Sequence, residues 1–150
     1  MIPELDAHGL LPAGVHDCTW WQLRTRFAAT PHRRGLLLGL CRFIRSEVRP
    51  LGLPASSVLV DGSFVRAKPQ PQDIDIVLDA SGCSPAQLSP VLVLFLDRVR
   101  IKREHQVDFW VRHPLLPNDL GVFFQYLGDE AASQLGLAPR WPKGILRIST

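Results

Sequence analysis

The stretch Ser57-Val-Leu-Val-Asp61-Gly-Ser-Phe-Val-Arg66-Ala-Lys-Pro-Gln-Pro-Gln-Asp73-Ile-Asp-Ile-Val-Leu-Asp79 reads as a strand, a tight turn, a basic loop and a second strand. Val58, Leu59 and Val60 form a short apolar run, and Asp61-Gly62 closes it with a turn signal. Farther on, Ile74, Ile76 and Leu78 alternate with Asp73, Asp75 and Val77, the period-two pattern of a strand. Strand side chains point alternately to opposite faces, so Asp73 and Asp75 share one face while Ile74 and Ile76 point into the core. Two carboxylates held that close repel each other unless a cation bridges them or one takes up a proton. Hard oxygen ligands of this kind suit magnesium, which keeps several waters and completes its shell with substrate phosphates.

Gly62-Ser63, the ten-residue step from Ser63 to Asp73, and Asp73-Ile74-Asp75 together resemble the signature of the polymerase-beta-like nucleotidyltransferase superfamily. In that superfamily the Gly-Ser turn faces a nucleoside triphosphate, the Asp-x-Asp pair binds two magnesium ions, and a third carboxylate arrives on a later strand. Asp108 is the candidate for the third, because Val107, Phe109 and Val111 alternate around it as on a strand. The resemblance therefore implies that Asp73, Asp75 and Asp108 are the catalytic and magnesium-holding residues, with Asp108 orienting or deprotonating the attacking hydroxyl. It also implies nucleotide binding by Gly62, which lets the backbone approach the phosphates, and Ser63, which donates a hydrogen bond to them. Arg66 and Lys68, in the loop between the two strands, are further nucleotide-binding candidates because they sit where a cation could neutralise triphosphate charge, the alternative being a solvated loop. Lys143 and Arg147 could reach a phosphate if the last strand joins the sheet. Asp61 and Asp79 lie outside the signature and read as structural. The chain departs from the pattern at Ala67, where many members have glycine, and at Gln72, where many have a small residue.

Working outward, 150 residues with 46% hydrophobic content fit one domain with a core of ordinary size. The expected fold class is α/β (α+β), a small mixed sheet flanked by helices, with residues 1–18 as an extended arm. Net charge is +3 and the sequence pI about 9.1, with basic residues scattered, so nucleotides are tolerated but a nucleic-acid partner is not favoured. Cys18, Cys41 and Cys83 contain no Cys-x-x-Cys pair, which argues against a disulfide framework or a structural zinc and for a reducing cytoplasm. No basic start leads into an apolar stretch and no apolar run approaches membrane-spanning length, so a soluble, unprocessed protein without a membrane partner is expected.

Thr19 and Gln22 form a capping box, predicting a helix to about Ala29. Thr30-Pro31 predicts a second helix to about Val48. Its apolar Leu37, Leu40, Phe43, Ile44 and Val48 recur at spacings of three and four, and Arg34, Arg42, Arg45 and Arg49 make a basic face. Ser84-Pro85 is a further start signal, but Pro90 interrupts it, so the regular part is placed at about Val91 to Lys102. A short helix is expected from Leu120 to Tyr126, and Ile145-Leu-Arg-Ile-Ser as a terminal strand. His8 and His16 read as surface or turn residues. The chain also resembles small bacterial nucleotidyltransferase-like proteins through Leu-Pro-x-Gly-x-His at 11–16, Asp-Gly-Ser-Phe at 61–64 and Lys-Gly-Ile at 143–145.

Larger members of the superfamily carry a helical domain for the acceptor, which this length does not accommodate. That feature resembles the minimal nucleotidyltransferase antitoxins, which are paired with a HEPN-type toxin and can transfer AMP to it. The resemblance implies a magnesium-dependent transferase, with ATP as the expected triphosphate and a partner protein as acceptor in a toxin–antitoxin pair. Two alternatives stay open: a catalytically degenerate module that neutralises a partner by covering it, and transfer to a small molecule or an RNA end. A homo-oligomer is compatible with each.

Overall fold

A computed structural model describes residues 1–54 and 56–150. Five strands form one mixed sheet: β1 (Gly14–Asp17), β2 (Ser57–Asp61), β3 (Ile74–Asp79), β4 (Val107–Arg112) and β5 (Gly144–Ser149), in the order β1-β5-β2-β3-β4. β2 runs antiparallel to both β3 and β5, while β3–β4 and β1–β5 are parallel. This is the expected α+β class, with strands at the predicted central, Asp108 and terminal positions.

One face of the sheet carries Val58, Val60, Ile74, Ile76, Leu78, Val107 and Phe109, all buried. Against it pack the helices α1 (Trp20–Phe27), α2 (Pro31–Phe43), α3 (Pro85–Leu96) and α4 (Arg98–His105) through Leu23, Leu36, Leu40, Phe43, Val91 and Ile101. The starts of α1 and α2 are capped as the sequence predicts: Thr19 Oγ1 accepts from Gln22 N–H and Gln22 Oε1 from Thr19 N–H, while Thr30 caps α2 with Pro31 in its first turn. From Ile44 the helix widens into a π turn to Val48 and tightens into a 3-10 turn over Arg49–Leu51. α1 ends at Phe27, two residues short of the expected Ala29.

Three expectations are corrected. Residues 1–18 are not only an extended arm, because Gly14–Asp17 pairs with β5 as an edge strand. The exposed Val15 and polar neighbours give it no amphipathic signal; pairing with β5 makes it a strand. Pro90 does not delay the third helix, which starts at Pro85 behind a Ser84–Gln87 capping box. The exposed proline costs one hydrogen bond near the helix start, and the break falls at Asp97 instead. The region after β4 holds two short helices, α5 (Leu120–Phe123) and α6 (Asp129–Gln134), the first stopping before the expected Tyr126.

The second face is only partly covered. Leu59, Val77 and Ile145 are buried there beside Trp110 of β4 and against Leu120 and Phe124, so the α5 segment roofs the middle of the face. Among the described residues no helix is long and apolar enough to cross a membrane.

Candidate active site

Strand register sets the acids side by side. Asp61 on β2 pairs with Asp75 on β3, and Asp75 pairs with Asp108 on β4. The three therefore form one cross-strand row on the second face, next to the apolar row of Leu59, Val77 and Trp110. Asp73 stands two residues before Asp75, just ahead of β3, where the Ile74 N–H donates to the Gln106 carbonyl at 3.0 Å. The predicted trio of Asp73, Asp75 and Asp108 is thus brought together, and Asp61 joins it.

The turn after β2 explains why residue 62 is glycine. Gly62 has φ +74°, a left-handed conformation that other residues enter only with strain, and a Cβ there would lie 1.6 Å from Asp75 Oδ2. The backbone of the Gly-Ser turn rests directly on the Asp75 carboxylate. Ser63 sits in the 3-10 turn Gly62–Val65, and its carbonyl accepts from Arg66 N–H.

Four carboxylates in this space need neutralising. Lys102, in the last turn of α4, places Nζ 2.8 Å from Asp73 Oδ2 and 2.8 Å from Asp108 Oδ2. It reaches Asp108 because Gln106, at φ +57°, turns the chain sharply from α4 into β4. Among the described residues Asp75 has no cation of its own, and its carboxyl is pushed up to about 7, first by burial and then by Asp73, Asp61 and Asp108. Asp61 is buried and pairs with the buried Lys143, whose Nζ also donates to the Phe124 carbonyl at 2.5 Å. Burial presses both toward neutrality, raising the Asp61 carboxyl and lowering the Lys143 ammonium.

The loop carrying Arg66 and Lys68 is held from beneath. Arg33, buried on α2, donates to the carbonyls of Phe27 (3.1 Å), Phe64 (2.7 Å), Arg66 (3.0 Å) and Lys68 (2.5 Å). Gly9 of the N-terminal arm closes on the loop from the side, its carbonyl accepting from Ala67 N–H at 2.9 Å. A Cβ on Gly9, at φ +72°, would lie 2.5 Å from the Ala67 Cβ, so here the arm supplies the glycine and the loop the alanine. Arg66 is half-buried, its Nε has no hydrogen-bond partner among the described residues, and its charge favours the ionised form of Asp61.

Other predicted residues lie elsewhere. Lys68 is exposed and lines a groove with His8, Gly9, Leu10 and Leu135. Arg147 forms a bidentate pair with Asp17 at 2.6 and 2.9 Å, opposite Leu59 and outside the carboxylate row. Asp79 pairs with Arg112 at 3.0 Å. Asp61, expected to be structural, does join the row, as its parity with Leu59 and a hairpin closed at Gly62 require. Lys143, expected near a phosphate, is instead buried against Asp61. Lys102 carries no signal in the sequence, because its reach depends on the Gln106 turn.

The donor set fits magnesium: all ligands are carboxylate oxygens, and a lysine ammonium already bridges two of them as a cation would. A second group, Glu47, Glu104 and His105, has potential ligand atoms within 4.8 Å of one another. There, however, the Arg100 guanidinium holds both acids, with Glu47 at 2.8 and 3.0 Å and Glu104 at 2.8 Å, so that group is an ion-pair network tying α4 to the π turn.

Residues 3–149 match the profile of a family described as a family of unknown function (DUF6932), and the chain belongs to that family. No curated protein and no solved structure matches it.

Proposed function

We propose that this DUF6932 chain is a magnesium-dependent nucleotidyltransferase that moves AMP, or another nucleoside monophosphate, from a triphosphate to a hydroxyl of a partner protein. The observation that carries the reading is the row Asp61–Asp75–Asp108, with Asp73 beside it, lying directly under the left-handed Gly62 turn.

Asp73, Asp75 and Asp108 would hold the metal, which when bound supplies charge stabilisation for the attacking and leaving oxygens of an in-line displacement. The half-buried start of the turn would offer the triphosphate the Gly62 backbone and the Ser63 hydroxyl. Arg66, fixed through its own carbonyl by Arg33, contributes positive charge beside the row. Asp108 orients the incoming hydroxyl and accepts its proton while the oxygen bonds to the α-phosphorus and pyrophosphate departs. The acids lie on a sheet face, with the Asp73 and Asp108 side chains 21% and 25% exposed, where another protein's loop can reach them. A cognate toxin is the partner this reading expects.

Incubation with labelled ATP, magnesium and the product of the adjacent gene should label that product, and Asp73→Ala or Asp75→Ala should abolish the signal in a folded protein. No label with any of the four triphosphates would sink the proposal. One observation favours a second reading, a binding module with a degenerate site: Lys102 neutralises Asp73 and Asp108 from within. Under that reading Asp75→Ala still neutralises the partner.

A further inference from the structure

We propose that the outer face of α1 and α2 is a docking groove for an acidic amphipathic helix of a partner protein. The groove lies on the helical layer, opposite the carboxylate row, and its occupation does not depend on the transferase reading. Two adjoining depressions of about 610 and 460 Å³ share Trp20, Leu38 and Cys41.

The groove's chemistry is divided in two. Its floor is Leu37, Leu38, Cys41, Ile44 and the two tryptophans, with Trp21 71% and Leu38 61% exposed. Its rim is Arg24, Arg34, Arg42, Arg45 and Arg49, and among the described residues none of these five pairs with a carboxylate. Arg34 does donate to the Ala29 carbonyl at 2.7 Å. An apolar centre ringed by unpaired guanidiniums, with tryptophan beside them, is the anatomy of a protein interface that selects an acidic partner.

The arginines at 34, 42, 45 and 49 recur along the continuous helical path from Pro31 to Leu51. That path measures about 22 Å between Arg34 and Arg49 at 1.5 Å per residue, the length of roughly four helical turns. A helix with apolar residues at i, i+3, i+4 and i+7 and acids on both flanks fits the floor and the rim at once. Single-stranded RNA would meet the same arginines and tryptophans, but it would leave the aliphatic part of the floor, Leu37, Leu38 and Ile44, without an apolar partner. A second copy of this chain would bring its own arginines to the same face.

The test uses three fluorescent 16-residue helical peptides with Leu, Ile or Phe at the apolar positions and Glu on the flanks. Controls are a scrambled peptide of the same composition and a 16-nucleotide oligouridylate. At least one helix should bind the whole chain saturably, more weakly as salt rises from about 0.05 to 0.5 M. Affinity should fall tenfold or more in Leu38→Glu and in Arg42→Glu/Arg45→Glu, exposed positions whose melting by circular dichroism should stay unchanged. The bound helix should also slow alkylation by N-ethylmaleimide at Cys41, the exposed cysteine of the three. Failure of all three helices, equal binding of the scrambled peptide, tighter binding of oligouridylate, indifference of affinity to both variants, or a homodimer lost in Leu38→Glu would each overturn the proposal.

Discussion

Replacing Asp75 by asparagine should stabilise the metal-free protein, and by an amount that depends on pH. The carboxyl is raised from 3.8 to about 7 because it is mostly buried and faces Asp73, Asp61 and Asp108. That is about three powers of ten in proton affinity, each worth about 1.4 kcal/mol, so roughly 4 kcal/mol in all. The sign follows from where the proton sits. Below about pH 4 Asp75 is protonated both folded and unfolded, and its charge costs nothing. Between about pH 4 and 7 the unfolded chain loses the proton while the native state keeps it, so stability falls as pH rises. Above 7 the full penalty remains.

The Asp75→Asn side chain keeps the shape and never carries the charge. The variant should match the wild type near pH 4 and exceed it by about 4 kcal/mol at pH 8, or roughly 10 °C in Tm for a chain of this size. Thermal melts at pH 4, 6 and 8 in EDTA, repeated with 5 mM magnesium, make the assay. Magnesium should raise the wild-type Tm at pH 8 and leave Asp75→Asn unmoved. Equal stability at pH 8, or a difference that does not change with pH, would refute the view that burial and the neighbouring acids keep Asp75 protonated up to neutrality.

Four further outcomes are expected. Gly62→Ala should cost about 3 kcal/mol in urea unfolding, since it combines left-handed strain with collision against the Asp75 carboxylate. Lys143→Met should cost about 3–5 kcal/mol by leaving Asp61 buried without its cation, and Asp61→Asn/Lys143→Met should recover most of it in a double-mutant cycle. Arg33→Lys cannot reach four carbonyls; it should lose about 3 kcal/mol and open the loop to trypsin after Arg66, read by timed digestion. Lys102→Met should strengthen magnesium binding several-fold by calorimetry and lower metal-free stability, since it removes the ammonium that bridges Asp73 and Asp108.

Much of the central hairpin was legible because alternation and the Asp61-Gly62 turn act locally. Ile74, Ile76, Val107 and Phe109 are buried as their period-two pattern requires, which fixes the faces of β3 and β4 and hence the side on which Asp75 and Asp108 emerge. Cap chemistry at Thr19, Thr30 and Ser84 was equally local. β1 was not legible, because Gly14–Asp17 is a strand only by virtue of β5, 130 residues away in register at Asp17–Arg147. Pro90 misled for a related reason: its local penalty is real, but the capping box and the burial of Leu88 and Val91 outweigh it. Arg33 sits among surface arginines in the sequence, and only the packing of α2 against the 66–68 loop distinguishes it from Arg34.

The two lysines treat the four acids differently, and that difference indicates which acids a metal would meet. Lys143 is buried with Asp61, and both are desolvated, so separating them exposes an unpaired charge in the interior. That pair belongs to the framework. Lys102 is half exposed on a flexible stem and bridges two partly exposed acids, a contact worth little in water and readily exchanged. Asp75, between them, has neither partner and keeps a proton near neutrality. Under the proposed function, an incoming divalent cation would gain Asp75 by displacing only that proton, and Asp73 and Asp108 by displacing only Lys102. The exchangeable side of the cluster comprises the three residues picked out by the Asp-x-Asp pattern and the later strand. Asp61, although it lies in the same row, is committed to Lys143.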